Sequence, residues 1–178
     1  MSLGELREAA IIATFIDRVR SADRFCGETL IQKATFFLKE LFSVSFEAQY
    51  HLYHYGPFSF DLREKLQSME ADDLVKIEPH EYGATFSVSS RYPMLQRQFP
   101  RTILRYEKPI NFVATELGPL GVKKLESLAT ALYVARESGD LDVEKRVVKL
   151  RLIKPHIDVP DARGAVAKVD AWLKEAQQ

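Results

Sequence analysis

Apolar residues recur at helical spacing near the start of the chain, where Ala9, Ile12, Phe15, Ile16 and Val19 share one stripe and Arg7, Asp17 and Arg18 fall off it. The spacing predicts a helix over about residues 3 to 21, closed by Ser21-Ala22-Asp23. A second stripe, Leu30, Ala34, Phe37, Leu38 and Leu41, begins near Glu28-Thr29, with Thr29 placed to cap free backbone amides. The two helices are expected to share an apolar seam. From Phe46 to Tyr55 the period falls to two: Gln49, His51, Tyr53 and Tyr55 lie on one face and Tyr50, Leu52 and His54 on the other. This predicts a strand, substantially buried because both faces are aromatic. Gly56-Pro57 is expected to end it, and Ser59 to cap the next helix.

That third helix, about Phe60 to Asp72, turns Leu62, Leu66 and Met69 inward and leaves Arg63, Gln67 and Glu70 on a solvent stripe. Leu74 to Ile77 and Ala84 to Val88, around a turn at Tyr82-Gly83, read as a hairpin. Helix, helix, strand, helix, strand, strand is the order of a winged helix. The expected fold is therefore mainly α (α+β): a winged-helix-like unit with a small antiparallel sheet over 1–90, followed by a helical unit over 91–178 packed on it as one globule. In the second unit Pro93, Pro100, Pro109 and Pro119 punctuate short helices before a long one from about Leu120 to Glu137, ended by Ser138-Gly139-Asp140. Asp142 is expected to cap the next helix, which runs to about Ile153 and Lys154-Pro155. A last helix over about 160–175 buries Val166, Val169, Trp172 and Leu173.

Composition narrows the function classes. Hydrophobic residues make up 46% and charged residues 28% of the chain, and no apolar run approaches the roughly 18 residues of a membrane span. Glu5 and Glu8 stand just ahead of the apolar run that begins at Ala9, which is wrong for a secretory signal, so a cytoplasmic location and no membrane partner are expected. Twenty-five basic residues balance 25 acidic ones, so any nucleic-acid contact must use a local patch. The single cysteine, Cys26, has no disulfide partner and reads as an inert thiol. His51 and His54 point to opposite strand faces, and no nucleophile elbow, phosphate loop or dinucleotide fingerprint is present. No metal, cofactor or catalytic residue is expected, and the chain reads as non-enzymatic.

Ile31-Gln32-Lys33 followed by Phe36-Phe37-Leu38, and then Tyr53-His54-Tyr55-Gly56-Pro57-Phe58-Ser59, resembles the signature of YwgA-like bacterial proteins. Those proteins are in turn distantly similar to the SocA-type, or Panacea, antitoxin domain. Leu125 to Thr130 and Lys154-Pro155 extend the resemblance through the C-terminal helices. It implies a mainly helical fold and a protein that binds and neutralises a partner toxin. Tyr53 stands where many Panacea sequences carry tryptophan, and Phe58-Ser59 replaces their usual aliphatic position after Gly-Pro.

Candidate partner-binding residues are Gln32, Lys33, Tyr53, Tyr55, Gly56, Pro57, Phe58 and Ser59. The Gly-Pro corner can present Tyr55 and Phe58 to a partner protein, although a strand-to-helix corner alone also explains it. Gln32 and Lys33 either reach that corner or lie on a solvated face, and the rarity of buried lysine favours the solvated face. The alternative function is a DNA-binding regulator using the hairpin with Arg63, Arg97, Arg101 and Arg105. Against the third helix as its probe, residues 59–72 hold four acids and two bases. Arg97, Arg101 and Arg105 are spaced by four, with Pro100 between them; a more dispersed cluster runs from Lys145 to Lys154. The expected partner is thus a protein, with a toxin as its most specific form; nucleic acid is the less favoured partner, and a homo-oligomer is a further option.

Overall fold

The computed structural model describes residues 1–139 and 142–176. Helix α1 (Leu3–Ser21) begins at a capping box in which the Ser2 hydroxyl accepts from the Glu5 amide and the Glu5 carboxylate accepts from the Ser2 amide. Every residue from Glu8 to Ile16 is buried, so α1 is apolar nearly all round and runs through the interior. Helix α2 (Glu28–Phe42) is a second interior helix, buried continuously from Leu30 to Leu38. Its N-cap is Gly27, two residues earlier than the expected Thr29 cap, and no side chain bonds there. A Cβ on Gly27 would stand 2.6 Å from the Phe25 ring, so packing selects the glycine over a capping hydroxyl.

The strand expected over 46–55 shortens to β1 (His51–Tyr53), and the segment before it is extended but unpaired. Val44, Phe46 and Ala48 are buried in alternation with exposed residues, but this alternation does not continue through 49–55. The main chain there bonds side chains instead of a neighbouring strand. Lys39 Nζ donates to the carbonyls of Phe46 (3.2 Å) and Ala48 (2.6 Å), the Glu47 amide donates to Glu8 (2.8 Å), and the Gln49 amide to Asp61 (2.9 Å). Gly56-Pro57 does not end the strand. It begins β2 (Gly56–Phe58), which pairs antiparallel with β1 in the register His51 to Phe58, Leu52 to Pro57 and Tyr53 to Gly56. The turn lies at His54-Tyr55, and His51, Leu52 and Tyr53 are exposed rather than buried.

Ser59 caps α3 (Phe60–Ala71) through its hydroxyl, and Leu62, Leu66 and Met69 are its buried residues, as their spacing requires. β3 (Val75–His80) and β4 (Gly83–Val88) form the second hairpin, which joins the start of α2 through a bridge between Gly27 and Thr85. The fold is mainly α with a small antiparallel β component. The β component is two separate hairpins rather than the one sheet of a winged helix, because β1 finds its partner in β2.

Helices α4 (Tyr92–Gln98) and α5 (Pro100–Leu117) break at Phe99, and Pro109 sits inside α5 rather than bounding it. They are followed by α6 (Val122–Glu137), α7 (Val143–Ile153) and α8 (Val159–Glu175). Asp142 caps α7 as expected, whereas Asp140 lies outside the described residues. One core crosses the expected boundary at residue 90: α1 packs against α4, α5 and β4, and α2 against α5 and α6. Trp172 of α8 sets its ring edge-on to Phe37 of α2 and Phe112 of α5, with centroids 5.6 and 5.7 Å away. Among the described residues no helix is long and apolar enough to cross a membrane.

Candidate functional site

The β1–β2 hairpin is held from beneath by side chains of α2, α6 and the end of α7. Gln32 and Lys33 do not lie on a solvated face. They are 0% and 1% exposed, and both reach the Gly-Pro segment. The Gln32 amide bonds both main-chain groups of Ser59, accepting from its N–H (3.0 Å) and donating to its carbonyl (2.8 Å), as a paired strand would. Lys33 Nζ donates to the Pro57 carbonyl at 2.8 Å. Burial drives the Lys33 ammonium down to about 8, with the Glu126 carboxylate opposing that fall.

On the opposite side of the turn, Lys154 donates to the His54 carbonyl and lies 3.9 Å from the Glu126 carboxylate. Its ammonium too is lowered by burial and partly restored by Glu126. The two lysines therefore hold the chain on either side of Tyr55-Gly56. Gly56 has a φ of +85°, and a Cβ there would lie 3.1 Å from the Thr130 hydroxyl. Only glycine fits a left-handed backbone pressed this closely onto α6. The buried hydroxyls of Ser127 and Thr130 have no hydrogen-bond partner among the described residues.

Above this support the hairpin turns aromatic rings outward. Tyr53, Tyr55 and Phe60 are 51%, 63% and 50% exposed, and Leu52 beside them is also exposed. Phe58 is half-buried between Tyr53 and Phe60, at centroid distances of 6.0 and 5.0 Å. The Arg63 guanidinium stacks 4.6 Å over the Phe58 ring and is tied to Glu28 by a 2.7 Å ion pair.

The eight residues expected at a partner surface are thus brought together in two layers. Tyr53, Tyr55 and the edge of Phe58 face outward, whereas Gln32, Lys33, Gly56, Pro57 and Ser59 are buried and shape the hairpin from inside. Sequence reasoning missed Lys154, Glu126 and Thr130 as support, and Leu52 and Phe60 as surface. The first three are distant in sequence; Phe60 carried a signal, since it opens α3 off that helix's apolar stripe.

The nucleic-acid candidates divide differently. Arg63 is engaged by Glu28 and Phe58, and the outward face of α3 carries Asp61, Glu64 and Glu70. Arg97 lies on α4 and Arg101 and Arg105 on α5, so the break at Phe99 divides the expected continuous stripe; all three are exposed. Burial pushes the Cys26 thiol up to about 12, which leaves it protonated. Among the described residues no group of three or more His, Cys, Asp or Glu side chains could hold a metal ion. No protein-family model and no curated protein matches this chain.

Proposed function

We propose that the chain is a protein-binding module that docks a partner protein through the outward face of the β1–β2 hairpin, with neutralisation of a toxin as the most specific form of that role. The observation that carries the reading is the pair of exposed rings, Tyr53 and Tyr55, on a hairpin whose main chain is fixed by buried side chains, with the exposed Phe60 ring at the start of α3 set 5.9 Å from that of Tyr53. Exposed aromatics supply much of the energy of protein interfaces, and a pre-set backbone avoids ordering the loop at encounter. The mechanism is steric burial of the partner's surface and requires no chemical step. The resemblance to Panacea-type antitoxins supports the toxin as partner, and a cytoplasmic site of action goes with it.

The test is co-expression with the products of neighbouring genes, followed by affinity purification of the complex. A toxic neighbour should be neutralised and co-purify, and the double substitution Tyr53→Ala with Tyr55→Ala should weaken the complex by about 2 kcal/mol or more. The reading fails if no neighbour is relieved and no protein co-purifies, or if the double variant binds as tightly as the parent.

A further inference from the structure

Nine of the thirteen arginines donate a hydrogen bond to a protein acceptor: Arg18, Arg20, Arg24, Arg63, Arg91, Arg136, Arg146, Arg151 and Arg163. The four that donate to no acceptor among the described residues, Arg7, Arg97, Arg101 and Arg105, stand together where α1, α4 and α5 meet. Arg7, Arg97 and Arg101 line one recess of about 430 Å³ with Gln98 and Thr102, and no acid borders it. Arg7, Arg101 and Thr102 also line an adjoining recess of about 470 Å³ that contains Arg105. The acids of that second recess are Glu8 and Glu47, and Glu8 is already held by Lys65 and the Glu47 amide.

From this arrangement we propose that the recess between α1, α4 and α5 binds the phosphate group of a phosphorylated small molecule. Like charges brought together from three helices repel one another, and a doubly charged anion removes that repulsion. Guanidinium forks match the spacing of phosphate oxygens and bind them in pairs. The first turn of α5 adds to the field: Pro100 opens it, no side chain caps it, and Arg101 and Thr102 carry the next amides. The arginines converge on a recess of small-ligand size rather than tracking along a groove, which favours a single phosphorylated molecule over a nucleic-acid backbone. This site lies apart from the aromatic hairpin, and its occupancy does not depend on the proposed protein partner.

Titration of the full chain with inorganic pyrophosphate, at constant ionic strength and by calorimetry, tests it. Saturable binding is expected, weakened by about tenfold in each of Arg7→Gln and Arg101→Gln, because each removes a charged hydrogen-bonding partner. Arg101→Lys should also weaken it, since the charge remains but the fork is lost. Lys76→Gln, on the exposed part of β3, should leave affinity unchanged. All three substituted residues are exposed, and far-UV circular dichroism checks that each variant keeps its helices. The proposal is overturned if binding does not saturate, or if the arginine variants bind pyrophosphate like the parent. It is equally overturned if a short DNA duplex binds with steep salt dependence and pyrophosphate does not compete.

Discussion

Lys33 shows how one residue type can be misjudged by frequency. A lysine amid Leu30, Ile31, Ala34 and Phe37 reads as the solvated edge of an amphipathic helix, because ammonium groups are seldom buried. What reverses that reading is a carbonyl 24 residues away in sequence, that of Pro57, which no local pattern announces. Burial leaves a measurable mark on stability. Lys33 titrates near 8 in the folded chain against the ordinary value of 10.5, so between those limits the unfolded chain holds the extra proton. Stability therefore rises with pH across that window, by up to about 3 kcal/mol, and gains nothing from this group below it. Lys33→Met should remove that rise, and denaturant titrations of parent and variant from pH 7 to 10 would read it; parallel curves would contradict it.

At the scale of elements, periodicity located what it physically encodes and missed what it does not. Helices α1, α3 and α8 lie where their apolar stripes place them, and α3 and α7 start at the caps expected for them, Ser59 and Asp142, since both signals are local. The period of two over 46–55 predicts a strand buried on both faces, but burial alternates only along 44–48 and residues 51–55 are exposed; periodicity also says nothing of where backbone hydrogen bonds go. Along 46–49 they go to Lys39, Glu8 and Asp61. Lys39→Met should accordingly destabilise the chain by about 1–3 kcal/mol, and faster amide exchange should be confined first to 44–50. Unchanged exchange there would mean that the segment holds its shape without the ammonium. Pro109 does not bound a helix, for a related reason: it removes one donor within α5, and the packing of Ile110, Val113, Ala114 and Leu117 beyond it keeps the helix continuous across a single missing bond.

In the whole molecule, the hairpin is completed by contacts that span most of the chain, which is why its two-layered construction could not be read from Tyr53 to Ser59 alone. The expected division at residue 90 marks a change of composition but not a division of the core, because the buried faces of α1 and α2 are covered by α5 and α6. A fragment of residues 1–90 should therefore show no cooperative thermal transition by circular dichroism. A sharp transition in that fragment would establish it as an independent unit. The lysine clamp also has a consequence for biosynthesis. Lys154 follows His54, whose carbonyl it holds, by 100 residues, so a ribosome adding roughly 5–20 residues per second leaves the Tyr55 loop half-fastened for on the order of 5–20 s. A nascent chain that has not reached Lys154 displays its rings on a ribbon fastened on the Pro57 side alone, and the fully braced form requires translation past that residue.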